Sequence, residues 1–244
     1  LSAGARHDDH PPLAGINVTV ATDDAGLTAH RVLRLRRLDA CAVSDALDKL
    51  QLPGVATGIP QQSGNERIAG MVITLKLGTG EPPPGPPRHL GTTAVELGNK
   101  NHVIAVQQIT GVDAGCWGGL LTLGAKLRGI AGVVADGPVR DIDEARSYDF
   151  PVFTRQLTAR TARGRVVEKG TNVPVTLWGV IVNAGDFVIA DRSAVVFIAA
   201  THIDRVLDAA ELIAAREAAM AKALLAGQSA SSVMAGNYEH MLKG

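Results

Sequence analysis

The chain has 244 residues, with 24 Lys plus Arg against 24 Asp plus Glu, so its formal net charge is zero. That balance gives no general pull toward nucleic acid or a membrane surface, and no apolar run of about 18 residues marks a transmembrane helix. Hydrophobic residues make up 46% of the chain but aromatics only 3%, so the core has to be built from Val, Ile, Leu and Ala, which a chain of this length can bury without disulfides. The two cysteines, Cys41 and Cys116, do not make a disulfide framework and suit a reducing, cytoplasmic setting.

Residues 1–30 mix Asp, His, Pro and Gly and read as an N-terminal extension, with one strand-like run at 16–21 and a start too polar for a secretory signal. The main domain is expected over 31–200. Ser44–Leu50 (SDALDKL) predicts a helix with Ser44 as its N-cap, stopped by Pro53-Gly54. Ile68–Leu77 and His102–Gln107 read as strands. Between them lies a Pro-rich loop at 81–88 (EPPPGPPR), stiff and unable to pair in a sheet; it is a lid or an idle insertion. A Gly-rich loop at 111–119 (GVDAGCWGG) leads into a helical run over 120–127, which Gly129 ends. IAGVVA at 130–135 is a short apolar strand of the kind buried on both faces. The turn DGPVR follows at 136–140, Asp141 opens another helix, and FPVF at 150–153 is a further strand. This alternation of strands and helices predicts an α/β fold.

Beyond Asn172 the pattern turns to β, with strands expected at Val173–Val182, Phe187–Ala190 and Ala194–Ala199 and a turn at 183–186. A long helix is expected from Thr201 to Ala226. Thr201 and Asp204 make a start resembling a capping box, Ile203, Leu207, Ala210 and Ala214 form one stripe, and Gly227 is the stop. Residues 201–244 thus read as a C-terminal helical tail.

Ligands of α/β sheets bind beyond the C-terminal ends of strands, and two segments converge there. The Gly-rich loop and the helix start behind it offer N–H groups to an anion such as a carboxylate. The turn over 136–141 sets the Arg140 guanidinium beside the Asp141 carboxylate. Asp141 can bind a hard cation such as Mg²⁺, which would polarise a carbonyl as a Lewis acid, while Arg140 can hold a carboxylate or an enolate. The plainer alternative is a helix cap with a surface ion pair, and spacing alone favours it, because Arg-Asp dipeptides are common.

Asp136 is either an acceptor behind the site or a turn former. Cys116 has no base in view and reads as a packing residue. Trp117 either walls a pocket or packs beneath the helix. The histidines show no zinc-ligand spacing, and the His7/His10 pair reads as polar tail. Arg155, Arg160, Arg163 and Arg165 form a basic stretch that gathers an anion or makes a solvated or intersubunit face.

The words SDALD (44–48), GGLL (118–121), GIAGVVADGPVRD (129–141), FPVF (150–153), NVPV (172–175) and AGDFVIAD (184–191) resemble the RraA-like family over roughly two-thirds of the chain. That family includes the class II 4-hydroxy-4-methyl-2-oxoglutarate / 4-carboxy-4-hydroxy-2-oxoadipate aldolases and the regulators of ribonuclease E. Its motif places a Gly or acidic residue ahead of Arg-Asp, with an acidic residue three further on; here these are Gly119, Arg140, Asp141 and Glu144. The resemblance implies a swivelling β/β/α fold with a long C-terminal helix, assembly as a trimer or hexamer, and a site between subunits. It implies Mg²⁺ or Mn²⁺ bound through Asp141, Arg140 on a pyruvyl group and its enolate, and backbone amides of the loop Gly115, Cys116, Trp117, Gly118, Gly119 and Leu120 on the substrate. An acidic residue from a neighbouring subunit is also implied at the metal, and Glu217 is the candidate. The implied activity is metal-dependent cleavage or decarboxylation of a 2-oxo acid, by a pyruvate-releasing aldolase or an oxaloacetate decarboxylase.

One departure stands out. The aldolases carry Asp or Glu where Gly119 stands, so Asp113 or Glu144 replaces that group, or the chemistry has moved to another reaction. The ribonuclease regulators lack the metal-binding Asp. The presence of Asp141 therefore favours a catalytic member over a regulatory protein that only binds partners.

Overall fold

The computed structural model describes residues 21–86 and 88–235. The His7/His10 pair and the strand-like run at 16–21, apart from Ala21, lie outside the described residues. Helix α1 (Ala21–Leu35) crosses position 30, the expected end of the extension. Helix α2 (Ala40–Lys49) starts earlier than the sequence suggested. Its N-cap is Asp39, not Ser44, and the Asp39 carboxylate accepts from the Ala42 N–H at 2.8 Å. The buried stripe of Ala40, Ala42, Val43, Ala46 and Leu47 already begins ahead of Ser44, so packing draws the helix back to the first available cap.

The strands β1 (Val55–Thr57), β2 (Gln61–Ser63), β3 (Ile68–Gly78), β4 (His102–Gln107), β5 (Gly132–Asp136), β6 (Val152–Thr154), β7 (Val167–Thr171), β10 (Phe187–Ala190) and β11 (Ala194–Ile198) form one nine-stranded sheet, in the order β1-β11-β10-β3-β4-β5-β6-β2 with β7 on β3. The centre, β3-β4-β5-β6, is parallel. Its crossovers carry the short helix α3 (Thr92–Leu97), then α4 (Gly119–Leu127) and α5 (Ile142–Ser147). The other edge of β3 is shared: Ile68–Met71 pair with β10 and Leu75–Gly78 with β7, both antiparallel.

The single strand expected over 173–182 is instead a hairpin, β8 (Val175–Leu177) and β9 (Val180–Val182), turned at Trp178 (φ 48°) and Gly179 (φ 89°). A bulky residue at positive φ needs an anchor. Here the Trp178 N–H donates to Asp136 Oδ2 at 2.7 Å, at the end of β5. This is the structural role of Asp136.

Strand residues alternate between two apolar faces, as a period of two requires. Ile104, Val106, Val133 and Ala135 face α3, α4 and α5, while Val103, Ala105 and Val134 pack with the β8–β9 hairpin on the other side. A third cluster joins Phe187, Ile189, Val196 and Ile198 to α1, α2 and the long helix α6 (Ile203–Leu225). The start of α6 corrects the expected capping box. His202 is the N-cap residue without a side-chain cap bond, and Asp204 is drawn instead to Arg31, 2.5 Å away on α1. Arg34 adds Asp208 at 2.6 Å and Glu211 at 2.8 Å. Gly227 (φ 88°) ends the helix as expected, before α7 (Ala230–Met234). No helix among the described residues is long and apolar enough to cross a membrane.

Candidate functional site

Parallel strands β4 and β5 end side by side at Gln107 and Asp136. The loop leaving β4 becomes the N-terminus of α4, and the turn leaving β5 becomes the N-terminus of α5. The buried Gln108 shapes the first loop. Its Nε2 donates to the carbonyls of Val112 (3.1 Å) and Ala114 (2.9 Å), and its Oε1 accepts from the N–H and hydroxyl of Thr110. Both ends of one side-chain amide are thereby satisfied, as burial demands. The second loop is tied at Gly137, whose carbonyl accepts from the Thr154 hydroxyl at 2.9 Å. The loops are also tied to each other, since the Cys116 N–H donates to Pro138 O and the Arg140 N–H to Trp117 O.

Asp141 sits at the N-cap position of α5 in the left-handed region (φ 57°, ψ 38°), yet its carboxylate caps nothing on that helix. It accepts instead from the Gly119 N–H at 3.1 Å, across the site, and from Arg140 Nε at 3.2 Å. Both side chains are about one-third exposed (35% and 31%), so the pair is open to a ligand on one side. The plain alternative of a cap and an ion pair holds in part: Asp141 does not cap α5, but it pairs with Arg140 and accepts from the first N–H of α4.

Gly111 takes a positive φ of 76°, and the three later glycines of the loop are explained by space. A side chain at Gly115 would meet the Arg140 methylenes at 3.0 Å, and one at Gly118 would meet Asp141 Oδ2 at 3.0 Å. At Gly119 the first carbon of a side chain would fall 1.8 Å from Glu144 Oε2. The loop is a bed cut back to backbone, and Arg140, Asp141 and Glu144 lie on it. Glu144 occupies the volume that an acidic side chain at position 119 would fill.

Asp113 is placed otherwise. It accepts from the Thr158 hydroxyl at 2.6 Å and lies 3.0 Å from Arg160. Cys116 is fully buried and its thiol is pushed up to about 12 by that burial, which fits packing and not attack. Trp117 is also buried, its ring N–H donating to Thr122 Oγ1 at 2.9 Å, so it packs beneath α4. The N–H groups of Gly115, Cys116 and Gly119 are already taken, by Arg160 O, Pro138 O and Asp141. The first turn of α4 still leaves Leu120 and Leu121 without intrahelical acceptors. The basic stretch is partly structural: Arg155 donates to the carbonyls of Thr57 and Gly58 and lies over the Trp178 ring.

A family profile described as RraA-like, Aldolase/RraA, matches residues 40–197. The chain belongs to the RraA-like family. The protein DlpA of Legionella pneumophila is 28% identical over 196 residues, which is 80% of this chain but only 32% of DlpA, so the chain spans about a third of that relative. A Halalkalibacterium halodurans protein named "Putative 4-hydroxy-4-methyl-2-oxoglutarate aldolase" is 26% identical over 194 residues, 79% of this chain and 88% of that one. The crystal structure of an uncharacterized protein from Pseudomonas syringae superposes with a TM-score of 0.75 at 25% identity, over 84% of this chain and 96% of that one. The mixed α/β fold with its long C-terminal helix is thus the RraA-like fold.

Within one copy of this RraA-like chain, Glu217 lies away from Arg140. Burial first, and then the charges of Asp39 and Asp45, push its carboxyl above the usual range. Among the described residues, one cleft lies beside Arg36 and Arg67 and another beside Arg146 and Arg192, both away from Arg140. Among the described residues no three His, Cys, Asp or Glu side chains converge on one point as a metal cage. The Asp141 and Glu144 carboxylates both lie against Gly119, and Mg²⁺ is commonly bound by one or two carboxylates with water in the remaining positions. The donor set fits that group.

Sequence reasoning missed Gln108. The available signal was a pair of glutamines closing an otherwise apolar strand.

Proposed function

We propose that this chain is a divalent-metal-dependent carbon–carbon lyase of 2-oxo acids, an aldolase or decarboxylase that releases pyruvate. The convergence of the Asp141 and Glu144 carboxylates over Gly119, beside the Arg140 guanidinium, carries the reading. Glu144 then replaces the acidic group that other family aldolases hold at position 119, since Asp113 is engaged with Thr158 and Arg160. Asp141 and Glu144 would hold Mg²⁺ or Mn²⁺, with Glu217 of a neighbouring copy as a further candidate. When bound, the cation supplies Lewis-acid polarisation of the 2-oxo group.

The chain's own groups do the rest. The Arg140 Nε–H is committed to Asp141, which fixes the guanidinium plane and leaves its terminal N–H groups as donors for the substrate carboxylate. As the bond next to the carbonyl breaks, negative charge moves onto the 2-oxo oxygen, and the fixed guanidinium stabilises it without reorganising. The open N–H groups at the start of α4 favour the same anion.

The site would be completed between subunits of a trimer or hexamer. Leu120, at the start of α4 beside the site, and Leu127, two turns further along the same face, support this with 86% and 79% exposure, apolar surface that a neighbouring copy would cover.

The test is pyruvate release from oxaloacetate and 4-hydroxy-4-methyl-2-oxoglutarate with Mg²⁺ or Mn²⁺. Asp141→Asn is the sharp variant, because Asn tolerates the left-handed backbone. It is expected to lose about a thousandfold in rate, ~4 kcal/mol of barrier, while keeping its melting temperature. Release from no oxo acid with either metal, or full activity in Asp141→Asn, contradicts the proposal.

A further inference from the structure

We propose that Gln108 is a positioning residue for Arg140, acting through the Ala114–Gly115 peptide. Gln108 is buried just past the end of β4, and the four hydrogen bonds of its side-chain amide all fall on residues 110–114. One of them, from Nε2 to Ala114 O at 2.9 Å, reaches the site. The Ala114 carbonyl and the Gly115 N–H belong to one planar peptide unit, and that N–H donates to Arg160 O at 2.9 Å. Both ends of the plane are therefore fixed. The Arg140 methylenes lie against the Gly115 Cα: a side chain there would meet Arg140 Cγ and Cδ, each at 3.0 Å. Tilting the plane moves that bed, and the guanidinium, bonded to Cδ, swings with it.

Gln108 also meets the second loop. Its backbone N–H donates to Asp136 O at 2.8 Å, and a side chain at Gly137 would lie 2.8 Å from Gln108 Cβ. Asp141 and Glu144 are held differently. Asp141 takes the Gly119 N–H, and the buried Trp117 accepts from the Arg140 N–H beside them. Loss of the Gln108 amide should thus disturb the aim of Arg140 and leave the two carboxylates in place. Gln107 is the control, because neighbouring strand residues point to opposite faces. It is also buried, but its Oε1 accepts from the Thr176 N–H at 2.7 Å, on the β8–β9 hairpin behind the sheet. Removing either amide takes hydrogen bonds from backbone groups and lowers stability, yet only Gln108 lies on the path to Arg140.

The experiment compares Gln108→Met with Gln107→Met in the full chain by two readouts. The first is oxaloacetate turnover with Mn²⁺. Gln108→Met is expected to raise KM about tenfold at unchanged Mn²⁺ affinity, and Gln107→Met to keep the wild-type KM. A purely structural defect lowers the folded fraction, and with it kcat, but not KM. The second is the NMR signal of the Arg140 Nε–H, assigned by its loss in Arg140→Lys. Gln108→Met is expected to shift it and to speed its exchange with water, and Gln107→Met to leave it unmoved. The kinetic readout rests on Arg140 holding the substrate carboxylate, as proposed above; the NMR readout does not. If the wild type turns over no oxo acid, the lyase reading fails and the Nε–H signal alone decides the positioning. If Gln108→Met does not fold, Thr110→Val decides, since it removes the hydroxyl that donates to Gln108 Oε1 at 2.7 Å. An unmoved Arg140 Nε–H signal in the folded variant, an equal shift in Gln107→Met, or an unchanged KM in an active enzyme overturns the proposal.

Discussion

The end of the molecule built from α1, α2 and α6 and the end around Arg140 are ordered by different means. At the first, an apolar stripe of Ile203, Val206, Leu207 and Ala210 packs on Val43, Leu47, Val196 and Ile198, and ion pairs from Arg31 and Arg34 close its rim. At the second, glycines bring backbone against side chain and single amides or hydroxyls staple the loops. Its charged groups are left with room on one side. Stability and chemistry are thus largely separable, so changes at one end should leave the other nearly untouched.

The largest break in that separation would come from the core. Leu207 is fully buried, and Leu207→Ala is expected to cost ~2–5 kcal/mol by leaving a cavity, read as a lower denaturation midpoint. The folded fraction should keep its activity per molecule. A matching loss of specific activity would show that the ends are coupled.

At the site end, the shared volume of Gly119 and Glu144 allows a swap. No positive φ is required at Gly119, so its backbone accepts any residue and only space demands glycine. Glu144→Ala removes the carboxylate, and Gly119→Asp crowds a second one against it. Each should lower kcat about tenfold or more, ~1.4 kcal/mol. The double variant Gly119→Asp/Glu144→Ala restores one carboxylate to one space and should recover most of the rate. A double variant no better than the worse single would sever the proposed equivalence.

The smallest effect is the pH response of the ion-paired rim. Arg34 holds the Glu211 carboxyl below its usual range, chiefly through the hydrogen bond between them. A depressed folded value means that the stabilisation is present above the ordinary carboxylate pKa and is lost as pH falls through the folded one. Glu211 is 42% exposed, so screening limits the pair to under about 1 kcal/mol. Wild type should exceed Glu211→Gln by that margin at neutral pH, and the two stabilities should converge in acid. A difference that persists in acid would mean that charge is not its source.

Much of this was legible in the sequence because pattern and packing agree there. The apolar runs at β3, β4 and β5, the helix before Gly129 and the stripe of α6 are each long or regular enough to read. What failed was governed by distant partners. Asp204 belongs to Arg31 across the fold, not to a cap. The run at 173–182 bends because Asp136 holds Trp178. Strand β7 (VEKGT) has every residue half-buried, with no alternation to detect. At the site, Arg140, Asp141 and Glu144 were visible as a motif. That Glu144 fills the space over Gly119, and that Gln108 staples the loop, emerge only from the fold.

The proposed function requires that Asp141 and Glu144 together hold a divalent cation. Electron paramagnetic resonance titration of Mn²⁺ into the full chain tests it directly, without reference to substrate. One Mn²⁺ is expected to bind per subunit in the wild type, with binding abolished in Asp141→Asn and strongly weakened in Glu144→Ala. Equal Mn²⁺ binding by wild type and Asp141→Asn would contradict it.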